Sequence, residues 1–118
     1  MGINSVKQQE VSAMKTYFTI TGTCHYHGSE FFKPDMQVKL FKEPKNEIDK
    51  EAIRVEVEGL GKVGYVANSP FTVLGESYSA GRLYDKLVSN TILEYPYYTG
   101  TVLYVLPKGV LCWTETEE

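Results

Sequence analysis

From Ile53 to Glu58 the chain alternates apolar and polar residues without a break. Ile53, Val55 and Val57 fall on one side, and Arg54, Glu56 and Glu58 on the other. A period of two sends successive side chains to opposite faces, so this stretch predicts a strand with one face on a core and one in water. Gly59-Leu60-Gly61 turns the chain, and residues 62–66 predict the return strand of a hairpin. Asn68-Ser69-Pro70 closes the unit with turn and cap residues. Upstream, residues 17–23 are β-branched and aromatic and predict a first strand, with Phe18, Ile20 and Gly22 on one face and Tyr17, Thr19 and Thr21 on the other. A polar-aromatic loop, Cys24-His25-Tyr26-His27-Gly28, and a turn at Pro34-Asp35 lead to a second strand at 36–42, with Met36, Val38 and Leu40 inward. Glu43-Pro44 breaks that run, and the polar loop 45–50 follows.

Beyond the hairpin, a long connection spans 68–79, which Phe71, Val73 and Leu74 are expected to pin to the rest. Residues 80–88 predict a short helix: Ala80, Leu83, Tyr84, Leu87 and Val88 share one face, and Ser79 stands as N-cap. A strand at 92–95 meets Pro96, which belongs at an edge, turn or bulge. Residues 99–106 predict a strand apolar on both faces, Pro107-Lys108-Gly109 a hairpin turn, and 110–114 the last strand. About seven short strands with one or two short helices and regularly spaced turns make the fold mainly β, a small barrel or sandwich.

A chain of 118 residues suits one domain, placed at 16–114 between a polar segment at 1–15 and an acidic tail at 115–118. The net charge of −3 argues against binding nucleic acid through an overall basic field, but leaves room for a local basic groove. No apolar run approaches the roughly 18 residues of a membrane span. The opening residues show no secretory pattern, and Cys24 and Cys112 lack a zinc-finger spacing. A cytoplasmic protein with reduced thiols is therefore expected. His25 and His27 would share a face of an extended strand, but a closed zinc site needs four ligands and no second cluster exists, so no metal or other cofactor is expected. Phosphate-cradling, zinc-protease and nucleophile-elbow motifs are all missing, and no enzymatic activity is expected.

The segment 43–68 carries a longer pattern: an acidic residue and proline (Glu43-Pro44), Asn46 and Asp49, then Ala52-Ile53 and Val55, then Gly61, Val63 and Gly64-Tyr65-Val66. This order resembles the HIRAN family, and the upstream strand ending in Gly22, with Tyr26 and Gly28, fits as well. The resemblance covers roughly residues 16–87. HIRAN domains occur fused to fork-remodelling helicases of the Swi/Snf class and also alone in bacteria, and this chain resembles the standalone kind. The resemblance implies a small, partly open β-barrel related in shape to oligonucleotide-binding folds. It also implies binding of single-stranded DNA or DNA 3′ ends, in repair or fork processing beside a helicase or nuclease.

In that reading Asp49 accepts a hydrogen bond from a terminal hydroxyl, Asn46 shares its loop, and His25, Tyr26 and Tyr65 complete the pocket. Lys45, Lys50 and Arg82 supply charge, with Asn68 at the pocket's edge. Three positions depart from the helicase-fused pattern: Ile48 stands where an aromatic stacks on the terminal base, Cys24 where an Arg binds phosphate, and Asn68 where a Lys lies nearby. Asn and Asp also shape loops by capping nearby backbone N–H groups, so a purely structural role stays open for both. Lys33, Lys39, Lys42, Arg54 and Lys62, with Lys45, Lys50 and Arg82, could line one side for phosphate binding, but Glu43, Glu47, Glu51, Glu56 and Glu58 are interleaved with them, as on any solvated surface. The free N–H groups of the Ser79-Ala80-Gly81-Arg82 helix entry, together with the Arg82 charge, suggest an anion site, or an ordinary cap. The alternative function is a protein–protein interaction module, with Tyr95, Tyr97 and Tyr98 around Pro96 as its contact surface.

Overall fold

The computed structural model describes residues 13–87 and 97–117. Among these residues six strands form the frame: β1, Ala13–Thr21; β2, Gln37–Lys42; β3, Ile53–Val57; β4, Gly61–Val66; β5, Tyr98–Leu106; and β6, Gly109–Glu117. One helix, α1, Ala80–Lys86, separates β4 from β5 in the chain, and a turn of 3-10 helix at Thr23–His25 follows β1. The strands close into a barrel in the order β1-β4-β3-β2-β5-β6, each neighbouring pair antiparallel. Of the barrel or sandwich that the spacing left open, the chain forms the barrel that the resemblance implied, with its ring closed rather than partly open. Its ring closes through a short seam, where β1 and β4 meet at Ile20–Val66 and Thr21–Tyr65. The Ala67 N–H donates to the Thr19 carbonyl just beyond, at 2.8 Å.

The period-two pattern decides the core. Phe18, Ile20, Val38, Leu40, Ile53, Val55 and Val63 are buried, joined by Val102, Val110 and Cys112 from the long β5–β6 ribbon. Room for close approach matters at two glycines. A Cβ on Gly64 would stand 2.6 Å from the Thr21 carbonyl oxygen, and one on Gly100 would stand 2.9 Å from the Phe18 ring. The β3–β4 turn needs glycine for a different reason, since Gly59 and Gly61 take φ of 88° and 76°.

The structure corrects several local expectations. β1 begins at Ala13 and β6 reaches Glu117, with Ala13, Met14 and Lys15 paired to Glu117, Thr116 and Glu115. The paired strands thus run past both expected boundaries, 16 and 114. The alternation persists there in polar residues: Thr114 and Thr116 are buried while Glu115 and Glu117 are exposed. The buried Thr16 and Thr116 hydroxyls bond each other at 2.7 Å, so no apolar pattern advertises this extension. Thr19, on the face opposite Phe18 and Ile20, is also buried, because the connection after β4 packs over it. Its hydroxyl bonds the Ser77 hydroxyl at 2.8 Å and accepts from the Leu74 N–H at 3.1 Å. In the same connection Phe71 is 94% exposed at the tip of a turn, so it pins nothing. The helix starts where expected, with the Ser79 hydroxyl accepting from the Arg82 N–H, and buries Ala80 and Leu83. Val88, the expected strand at 92–95, Tyr95 and Pro96 lie outside the described residues. No described helix is long and apolar enough to cross a membrane.

Candidate functional site

The loop between β2 and β3 is built by its own side chains. The Asn46 amide oxygen accepts from the Ile48 and Asp49 N–H groups, each at 2.9 Å, and its amide nitrogen donates to Glu43 Oε1 at 2.9 Å. Asp49 Oδ1 accepts from the Glu51 N–H at 2.9 Å, and Oδ2 accepts from Asn68 Nδ2 at 2.7 Å. Asn68 in turn takes the Gly81 N–H on its Oδ1 at 2.9 Å, which ties the loop to the first turn of α1. Asn46 is thus largely spent on loop structure. A carboxylate offers about four lone-pair sites, so Asp49 is held in place with acceptor capacity to spare.

Tyr26, Asn46, Ile48, Asp49, Ala52, Tyr65 and Val66 line one open hollow of about 360 Å³, near the lower end of ligand-pocket sizes. Four residues expected from sequence, Tyr26, Asn46, Asp49 and Tyr65, meet there. Tyr26 is 40% exposed and follows the 3-10 turn, and Ile48 is 97% exposed at the rim. Tyr65 is fixed from two sides. Its hydroxyl donates to Glu43 Oε1 at 2.9 Å and accepts from Lys62 Nζ at 3.1 Å. The Lys62 ammonium also stands 5.4 Å from the Tyr26 ring centre and 5.1 Å from that of Tyr65.

Strict alternation would place Lys62 and Tyr65, three residues apart, on opposite faces of β4. The β3–β4 register instead shifts: Val55 pairs with Gly64, while Glu56 pairs with Lys62. The bulge leaves Val63 as an extra residue and returns Lys62 to the face of Tyr65. The hydrogen bond to Tyr65 raises the Lys62 pKa above the ordinary lysine value, and nearby Tyr26 and Glu43 add to it against partial burial. Glu43 sits beneath Tyr65 and also accepts from Arg54 Nη1 at 2.9 Å. Burial pushes its carboxyl up, but the bonds from Asn46, Arg54 and Tyr65, with the Arg54 charge, outweigh that and hold it below the ordinary glutamate value.

Of the remaining expected residues, Asn68 adjoins the hollow through Asp49, and the others do not line it. His25 is exposed on the 3-10 turn and does not line it. That turn is not extended, so the shared strand face expected for His25 and His27 does not form. Lys45 lines a neighbouring depression with Lys42, Glu43, Pro44 and Asn46. Lys50 is exposed at the end of the loop. Arg82 lies over the Tyr78 ring at 3.9 Å. The N–H groups that suggested an anion site at α1 are engaged: Gly81 with Asn68, Arg82 with Ser79. The Glu51 carboxylate also lies against Gly81, where a Cβ would stand 2.6 Å from its oxygen. Sequence reasoning gave Glu43 only a place in the motif and Lys62 only a place among the cations offered for phosphate. The acidic-Pro step was a signal for Glu43, whereas no residue announces the bulge that turns Lys62 inward.

A small closed barrel with an open hollow edged by two tyrosines and a fixed carboxylate defines a binding module. The HIRAN domain family matches residues 14–70 of the chain. Among solved structures, the HIRAN domain of human HLTF superposes with a TM-score of 0.53 at 19% identity, covering 91% of this chain and 78% of that one. A protein from Lactobacillus plantarum superposes with a TM-score of 0.50 at 19% identity, covering 89% of this chain and 99% of that one. Both are likenesses of fold. No curated protein sequence matches the chain. HIRAN domains are known as nucleic-acid-binding modules, and the domain is a binding unit rather than a catalytic one.

Proposed function

We propose that this chain binds the end of a single-stranded nucleic acid, with DNA 3′ ends as the target, and performs no catalysis of its own. One observation carries the reading: Tyr26, Tyr65 and Asp49 converge on a single open hollow in which Asp49 keeps acceptor capacity. A base rests on a tyrosine face, an interaction worth about 1–3 kcal/mol per base. The terminal hydroxyl donates to Asp49. Ile48 adds apolar contact at the rim without a π-face, so affinity is expected to be lower than an aromatic there would provide. Such an end-binder would serve repair or fork processing beside a helicase or nuclease.

Fluorescence anisotropy with short single-stranded oligonucleotides tests the proposal. A free 3′ hydroxyl is expected to bind more tightly than a 3′ phosphate by roughly tenfold, the worth of one hydrogen bond to a charged group. Asp49→Asn, which keeps an acceptor for the Glu51 N–H, is expected to erase that preference. Equal affinity for both ends, unaffected by Asp49→Asn, would refute end recognition.

A protein-interaction reading has its own support in the β5–β6 hairpin, where Tyr104, Val105 and Leu106 are exposed and Leu106 shares a shallow apolar depression with Tyr17. Substituting Tyr104 and Leu106 with serine would abolish partner capture under that reading and leave oligonucleotide binding intact.

A further inference from the structure

The connection from β4 to α1 carries a projection and a hollow that do not meet within one chain. Residues 68–75 contain no charged side chain. Among them Phe71 is 94% exposed, yet the turn that presents it is fixed. Its N–H donates to the Ser69 hydroxyl at 3.1 Å, and the Thr72 and Val73 N–H groups donate to the Ser69 carbonyl at 2.9 and 3.0 Å. Three residues on, Leu74 walls an open hollow of about 340 Å³ with Tyr17, Leu106 and Leu111. Phe71 does not line it, and exposed Glu76 does. The buried polar group there, the Ser77 hydroxyl, donates to the Leu74 carbonyl at 2.7 Å and bonds the Thr19 hydroxyl at 2.8 Å. The hollow therefore suits an apolar occupant. It has room for a phenyl ring, since an apolar cavity of about 150 Å³ admits benzene.

We infer that this face pairs two copies of the chain about a two-fold axis, with the Phe71 ring of each seated in the hollow of the other. The occupant is a second copy because the chain itself supplies the matching part, an uncovered ring on an uncharged, hydrogen-bonded turn. Ring and hollow lie in one short connection, so a single axis serves both contacts, as an isologous interface requires. An aromatic side chain buries about 150–250 Å². Two rings and the two hollow walls they cover give roughly 600–1,000 Å², below the roughly 1,200–2,000 Å² of a standard interface. The pair is therefore a weak, concentration-dependent dimer. The inference is independent of the end-binding reading.

Sedimentation velocity over a concentration series into the millimolar range tests it. Wild type should pass from monomer to dimer and stop there. Phe71→Ser and Leu106→Asp should each weaken the dimer by roughly tenfold or more, as loss of a central aromatic contact does. Leu60→Ser, at an exposed leucine of the β3–β4 turn, should leave it unchanged. Circular dichroism melts separate loss of pairing from loss of fold, and Leu106→Ala replaces Leu106→Asp if that variant melts early. The decisive arm is an equimolar mixture of Phe71→Ser and Leu106→Asp. It should dimerise more strongly than either variant alone, because the intact ring of one enters the intact hollow of the other. A wild type that stays monomeric throughout, a mass that grows past two copies, or a mixture no stronger than its parts would overturn the inference.

Discussion

Replacing Glu43 with glutamine probes the support of the site. The carboxylate accepts three hydrogen bonds, from Asn46 Nδ2, Tyr65 Oη and Arg54 Nη1, and its side chain is 17% exposed. A glutamine of the same shape has one carbonyl oxygen, and its amide nitrogen would face a donor. At least one charge-assisted bond is lost, while Arg54 keeps Glu56 at 2.6 Å and the cost of desolvating the carboxylate is recovered. The net loss is expected to be about 2 kcal/mol at neutral pH. For a chain of this size that lowers the melting temperature by about 8 °C, read by circular dichroism. The pH dependence gives a second reading. The folded-state pKa of Glu43 lies below its ordinary, unfolded value. Its contribution is therefore fully present above the ordinary glutamate value and is lost as pH falls through the lower folded one. Wild type and Glu43→Gln should converge in melting temperature over that acid window. A variant as stable as wild type at neutral pH, or a gap that persists unchanged into acid, would refute the role assigned to Glu43.

Gly64→Ala should destabilise the barrel by about 2 kcal/mol, because its Cβ meets the Thr21 backbone at 2.6 Å across the short β1–β4 seam. Gly81→Ala, which meets only the end of the exposed Glu51 side chain, should cost far less in the same thermal melt. Thiol titration should find one reactive cysteine in the native protein and two after denaturation. Cys24 is exposed, whereas Cys112 is buried and its thiol is pushed up to about 12.

What could be read locally was read well. The β3–β4 hairpin, the Ser79 cap and the inward faces of β2 and β3 follow from period-two spacing, glycine turns and cap chemistry, all set within a few residues. Tyr26, Asn46, Asp49 and Tyr65, which the resemblance grouped, line one hollow. Charge was harder to place. Arg82 lies on Tyr78 and Lys50 at the exposed end of the loop, while Lys62 stands beside the Tyr26 and Tyr65 rings. Strand length was also misjudged, since backbone ladders at Ala13 and Glu117 form without apolar side chains.

The sequence by itself determined a small mainly β domain with the HIRAN order of motifs and a polar loop rich in capping residues, because periodicity, turns and motif order are properties of neighbours along the chain. Only the tertiary structure decided that Asn68 would bridge Asp49 to the helix, that Glu43 would anchor Tyr65, and that a bulge would carry Lys62 to the tyrosines. Those pairings join residues that meet only when the ring closes, and register and closure are set by the packing of the whole barrel.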